Sequence, residues 1–263
     1  MSPSSIIPIV YLPMRRFLTG VLFAGLLLAG CRTTNVTQTA AITFEEAPVS
    51  FTVMADSILP DPDMVALTQP YKERLQAEIE AVIGEAAGTL SKSDDPSMGN
   101  FAADAMLAIV QDLTDRPVEM ALTNNGGLRI PAVPAGPITV ERMFELMPFE
   151  NMMTVIDLNA VMVDSLAQQL ARRRGEPIAG FTFEVNADRR AENITIDGAP
   201  VDPNRVYRLV TSDYLANGGG GVPQLWSPMA REDLNYLLRD SFIEHVRQQQ
   251  IIEPDLSPRI LFP

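Results

Sequence analysis

Thr123-Asn-Asn-Gly-Gly-Leu-Arg129 is the stretch that orders the rest of the chain, because it joins a sharp backbone turn to a cation at its end. Gly126 and Gly127 can take φ > 0 without a Cβ penalty and Asn is the next most tolerant residue, so the run can turn sharply and present successive N–H groups to a ligand. Residues 118–122 (VEMAL) read as a short strand. The turn therefore lies at a strand's C-terminal end, where open α/β sheets commonly bind ligands. Most glycine-rich turns after strands are only turns, so the surroundings must carry any functional reading.

Towards the C-terminus, a Pro-rich loop is followed by a short helix over 140–147 that stops at Pro148, as the residue before a proline should. Phe149-Glu-Asn151 then leads into a strand over 152–158. An aromatic in that place is core unless its context says otherwise. Asn159 caps a helix whose Val163, Leu166 and Leu170 form an apolar stripe, and Arg172-Arg-Arg174 falls in the last turn, where cations favour the helix dipole. Strands follow at 181–185, 193–196 and 206–210, with Asp197-Gly198 as a turn. The last of them runs into Thr211-Ser-Asp-Tyr-Leu-Ala-Asn-Gly-Gly-Gly-Gly221. Four consecutive glycines point to close backbone approach. Leu234, Leu238, Phe242 and Val246, at four-residue steps, predict a final helix.

Towards the N-terminus, helical spacing recurs at Leu75, Ile79, Val82 and Ile83 and again at Phe101, Ala105, Ile109 and Val110. Between these two helices, residues 89–100 are loop chemistry and carry Lys92. The globular part is expected over 71–263, preceded by a tether over 31–70 with one edge strand at 49–53.

The first 30 residues have the pattern of an export signal: Arg15 and Arg16, an uncharged run from Phe17 to Gly30, and Leu28-Ala-Gly-Cys31 at its end. This is a lipobox, similar to those of bacterial lipoproteins, which implies lipidation of Cys31. Met14-Arg-Arg makes a compact basic start, so initiation is expected at Met14. The chain would then be lipid-anchored in the cell envelope, periplasmic or surface-facing.

Cys31 is the only cysteine, so no internal disulfide can form and stability must come from a core. All 33 acidic residues follow the export segment and the formal net charge is −13. Nucleic acid is an unsuitable partner for such a chain, and a phosphate would need a locally basic pocket. A dinuclear metal site needs several His and Asp ligands. His245 is the sole histidine, and with Cys31 lipidated no Ser/His/Asp or Cys/His set is possible.

Together, MGNFAADAM (98–106), TNNGGLR (123–129), ITVERMFELMPFEN (138–151) and VDPNRVYRLVTSDYLANGGGG (201–221) resemble the C-terminal domain of the 5′-nucleotidase family. The resemblance implies an α+β fold with a mixed sheet packed by helices. It also implies a nucleotide-binding domain whose metallophosphatase domain, with its two metals, lies elsewhere. Phe149 and Tyr214 match the aromatics that sandwich the base, and Asn151 the residue at the base edge. Asn124, Gly126 and Gly127 match the glycine turn, Arg129 the phosphate-facing arginine, and Lys92 a further basic residue that is usually Arg. The family's ribose-binding Asp falls at Gly220, so that carboxylate is missing. No cofactor is expected in this chain; divalent metals belong to a partner metallophosphatase. The resulting expectation is a lipid-anchored substrate-binding part of a split 5′-nucleotidase. The alternatives are a stand-alone nucleotide- or nucleoside-binding lipoprotein and a copy that keeps the fold without the ligand.

Overall fold

A computed structural model of the chain describes residues 61–173 and 175–263; the expected export signal, Cys31, the tether up to residue 60 and the strand at 49–53 lie outside the described residues, as does Arg174. In chain order, α1 (Pro62–Ile79) leads to β1 (Val82–Ala86), β2 (Leu90–Ser91) and α2 (Ser97–Val110). Then come β3 (Met120–Leu122), β4 (Ala132–Val133), β5 (Gly136–Thr139) and α3 (Val140–Leu146). The middle of the chain holds β6 (Met152–Asn159), α4 (Ala160–Arg172), β7 (Ile178–Ala179), β8 (Phe181–Val185), β9 (Ala191–Ile196) and β10 (Ala199–Pro200). It closes with β11 (Val206–Ser212), α5 (Asp213–Ala216), β12 (Ala230–Leu237), α6 (Leu238–Gln249), β13 (Ile251–Ile252) and β14 (Ile260–Leu261).

A five-stranded sheet in the order β12-β6-β11-β3-β7 divides the molecule. It is mixed: β11 runs parallel to β3, while β6 is antiparallel to both β11 and β12. Side chains alternate across a strand, so a strand covered on both faces feeds two cores. In β6, Met153 and Val155 join one core with α2, α3 and α6, whereas Ile156 and Leu158 join the other with α4, β8 and β9. β3 and β11 divide in the same way: Ala121 and Val210 face the first core, Met120, Leu122 and Leu209 the second. The result is the α+β fold with a mixed, helix-packed sheet that the motifs implied. Smaller sheets, β13-β1-β5 and β10-β9-β8-β14, flank it.

Helix starts follow local capping chemistry. Asn159 accepts from the Met162 amide at 2.9 Å, as its place before the apolar stripe implied, and Thr139 and Ser212 cap α3 and α5 in the same way. Asp61 caps α1, with Pro62 at the first helical position, so the helix begins ahead of the expected tether boundary at residue 70 and runs through Pro70.

Two helices read from apolar spacing are shorter than the spacing suggested. Val82 and Ile83 belong to β1, where Val82 is exposed and Ile83 buried, the alternation of a strand. Leu234 belongs to β12, not to the final helix. β12 pairs with β6 from Ala230 to Asp233, breaks register before Leu237, and passes through Asn235 at φ 50. Leu234 packs against the same core as Leu238, Phe242 and Val246, so the spacing marked burial correctly across a change of element.

Candidate functional site

β3 delivers the chain into the turn at Thr123, which is fastened on several sides. The Thr123 amide donates to the Pro177 carbonyl at 3.0 Å, the Asn125 amide to Glu176 Oε2 at 2.7 Å, and the Gly127 amide to the Asn124 carbonyl at 3.0 Å. Arg129 N donates to Leu146 O at the end of α3, and Lys92 Nζ to Leu128 O at 2.6 Å. Leu128 between them is fully buried. One expectation is corrected: the Asn125 and Gly127 amides are engaged within the protein rather than offered in succession, and neither Gly126 nor Gly127 uses the left-handed region that glycine permits. Glycine is favoured here by closeness: a Cβ on Gly126 would lie 3.1 Å from Asn124 Nδ2, and one on Gly127 3.1 Å from Met147 Cε, so each neighbour would have to give by a few tenths of an ångström.

The second loop is built differently. Gly218, Gly220 and Gly221 have φ of 103, 63 and 67, backbone that side-chain-bearing residues rarely adopt. Gly219 lies directly beneath the Tyr214 ring, where an added Cβ would come within 2.4 Å of the ring atoms. The Trp226 ring lies 3.5 Å from the Cβ position of Gly218. Arg173 holds this loop: Nη1 donates to the Gly221 carbonyl at 2.7 Å and also to the Gly220 carbonyl, and Gln169 Nε2 reaches Gly221 O at 3.2 Å. Position alone marks Arg173 as one of a helix-end cluster; nothing in the run Arg172-Arg-Arg174 distinguishes which guanidinium turns back onto the glycines.

Asn124, Gly126, Gly127, Arg129, Phe149, Asn151 and Tyr214 line one cavity of about 370 Å³. Residues from separated parts of the chain are thereby brought together. The Phe149 and Tyr214 residues are 40% and 49% exposed, so they are surface aromatics over a cavity rather than core side chains. Arg129 Cζ sits 5.7 Å from the centroid of the Phe149 ring, a cation over its face. Asp213 joins the two aromatic segments: its Oδ1 accepts from the Tyr214 amide at 2.7 Å and from the Met152 amide at 3.1 Å. Behind Phe149, the buried Arg239 donates to the Met147 carbonyl at 3.3 Å and stacks on Phe144 with Cζ 3.8 Å from the ring centroid. The sequence alone singles out neither Asp213 nor Arg239, because each reaches a backbone atom far away in the chain, the Met152 amide and the Met147 carbonyl.

Lys92 is not among the residues lining this cavity. It lines an adjoining one of about 330 Å³ with Asp95, Asn125 and Glu176. Asn100 of the Met98-Gly-Asn motif is structural: its amide donates to the carbonyls of Asp255 and Ser257 at 2.9 and 3.0 Å, fixing the C-terminal tail. Arg259 secures that tail to Asp104 and Asp255. Burial works to raise the Asp255 carboxyl, but hydrogen bonds from Ser257 and Arg259 hold it below the usual carboxylate range.

A position where the resemblance puts a carboxylate is closed. A Cβ on Gly220 would lie 2.4 Å from Cδ2 of the buried Leu215.

The family model for the 5′-nucleotidase C-terminal domain matches residues 80–227. The chain belongs to that family. It is 25% identical over 189 residues to protein UshA of Escherichia coli strain K12, covering 70% of this chain and 34% of that protein. The UshA of Yersinia enterocolitica is 28% identical over 174 residues, 64% of this chain and 31% of the relative. This chain thus spans about a third of the length of these curated relatives. Among solved structures, the 5′-nucleotidase precursor of Thermus thermophilus superposes with a TM-score of 0.64 and 26% identity, over 76% of this chain and 42% of that one. The NAD nucleotidase of Haemophilus influenzae shares the fold, with a TM-score of 0.62 at 20% identity.

Proposed function

We propose that this protein is the lipid-anchored, nucleotide-binding part of a split 5′-nucleotidase, holding a nucleotide for a metallophosphatase on a separate polypeptide in the cell envelope. The observation that carries the proposal is the gathering of Arg129, Phe149, Asn151, Tyr214 and the glycine turn around a single cavity. In this reading a flat base stacks on the Phe149 and Tyr214 rings, and stacking contributes about 1–3 kcal/mol per base. The Asn151 amide offers both a donor and an acceptor for the base edge, and Arg129 supplies a fixed charge for a phosphate. In this reading Cys31 bears the lipid.

Phosphoryl chemistry is assigned to the partner because this chain does not fit a two-metal site. The sequence holds one His, and among the described residues no three His, Cys, Asp or Glu side chains are grouped as ligands. The chain's own task is to bind and orient. A second reading, a stand-alone nucleotide-binding lipoprotein, is favoured by the closure of position 220 against Leu215.

Purified protein with added divalent metal should release no phosphate from AMP above background, and addition of the cognate metallophosphatase should raise release. Metal-dependent turnover by this chain alone, surviving repurification, would contradict the assignment of chemistry. Binding of AMP without any effect on the partner's turnover would select the stand-alone reading. Replacing Cys31 by Ser should abolish acyl labelling, and unchanged labelling would end the lipoprotein reading.

A further inference from the structure

We infer that Arg239 is a positioning residue for the base, fixing the loop on which Phe149 stands. This rests on the nucleotide reading above and adds to it a residue outside the cavity. Phe149 is an exposed aromatic, so packing alone does not set its ring and its place must come from the backbone that carries it. That backbone is the short connection from α3 to β6, residues 147–151, and it includes Pro148, which has no N–H to donate. The start of α6 holds it. The Leu238 amide donates to the Asn151 carbonyl at 2.9 Å. Arg239, next in the chain, donates through Nη1 to the Met147 carbonyl at 3.3 Å and reaches the Phe149 carbonyl at 3.5 Å. Among the described residues, Arg239 is the one side chain that bonds the Phe149 backbone.

Stability alone gives no reason for an arginine here. The residue is buried, and among the described residues it joins no ion pair and its Nε has no acceptor. A buried cation carries a desolvation cost that an apolar side chain of similar volume does not. What the guanidinium adds is direction: its Cζ lies 3.8 Å from the centroid of the Phe144 ring while Nη1 meets the loop carbonyls. Phe144 belongs to α3 and the carbonyls to the loop after it, so one side chain fixes both against α6. A ring that stacks on a flat ligand needs such support from outside its own contacts.

A double-mutant cycle read by AMP titration calorimetry tests this. Arg239→Met keeps bulk over Phe144 and removes the donors. It should weaken AMP about 10-fold in the wild-type background but less than about 2-fold in Phe149→Ala, where no ring is left to position. Arg239→Lys, which keeps the charge and a donor, should recover most of the loss. A residue that only stabilised the fold would act alike in both backgrounds; equal losses, or no loss in either, overturn the inference and leave the nucleotide reading intact. Without ligand, amide exchange across residues 149–152 should quicken in Arg239→Met while that of β11 stays as in wild type, and unchanged exchange in the loop also overturns it. If Arg239→Met does not fold, Arg239→Lys takes its place, with a loss of about 3-fold expected in the wild-type background alone. If the wild type binds no AMP at millimolar concentration, the nucleotide reading falls and this inference with it.

Discussion

Two glycine-rich loops serve the cavity, the first by lining it and the second through the Tyr214 ring that lies over Gly219, and although they look alike in the sequence they are built on different physics. Gly126 and Gly127 have ordinary backbone angles and are small because Asn124 and Met147 press on them. Gly218, Gly220 and Gly221 are left-handed and are kept in place from outside by Arg173. The first loop brings its own cation, Arg129, to the cavity. In the second, the guanidinium points at the loop itself, and the loop's role is to let the Tyr214 ring lie flat on Gly219. A run of glycine therefore marks close approach in both places, but the partner in that approach is different: a side chain pressing in at the turn, and a ring plus an arginine at the loop.

Breaking the second loop should have the larger effect. Gly219→Ala puts a methyl where the Tyr214 ring lies, so the ring must leave its place over the cavity. Nucleotide affinity should fall about as far as in Tyr214→Ala or Phe149→Ala, roughly 5- to 150-fold by titration calorimetry. The matching change in the first loop, Gly126→Ala, meets only an amide nitrogen at 3.1 Å that can shift by a few tenths of an ångström. Its loss should stay below about 5-fold, a difference of about 1 kcal/mol. Equal effects of the two alanines would erase the distinction drawn between the loops.

Strain at the second loop is measured separately by unfolding. Gly220→Asp forces a side chain onto Leu215 at φ 63 and should cost about 1–3 kcal/mol in urea denaturation. Arg173→Ala leaves two loop carbonyls to water and should cost about 1 kcal/mol, since the guanidinium is exposed. An unchanged midpoint in Arg173→Ala would mean that the loop holds its shape without the clasp.

The smallest effect lies outside both loops. His245 packs its ring edge against Phe101, and burial pushes its pKa below the ordinary 6.5, opposed by Asp104. The unfolded chain therefore binds a proton more readily than the folded one. The neutral ring's contribution is complete above pH 6.5 and is lost as pH falls through the lower folded value. Wild-type stability should decline on acidification through this window, and His245→Leu should flatten that part of the profile. A profile identical to wild type would exclude His245 as the source.

Much of this architecture was legible in the residues. β6 and β11 could be read because β-branched residues recur between clear turn and cap signals, and Asn159 fixes where α4 begins. The cavity was legible through motif resemblance, since its residues lie in separate stretches that no local pattern would join. Lys92 was placed by its distance from Met98-Gly-Asn, but its ammonium turns to the Leu128 carbonyl, a choice made by tertiary geometry. The break at Leu237 was hidden because apolar residues two apart on a strand and four apart on a helix fall on the same positions from Leu234 to Leu238. Arg173, Asp213 and Arg239 were hidden for another reason: their partners are backbone atoms, which every residue type carries alike.

The central claim is that one end of the cavity holds a base and the other a phosphate, and Arg129 tests it most directly. AMP and adenosine should be titrated calorimetrically into the wild type and into Arg129→Ala. Wild type should bind AMP more tightly than adenosine, and this advantage should disappear in Arg129→Ala, with adenosine affinity changed only slightly by the lost contact over Phe149. An AMP advantage that persists in Arg129→Ala, or no binding heat with either ligand in the wild type, would contradict it.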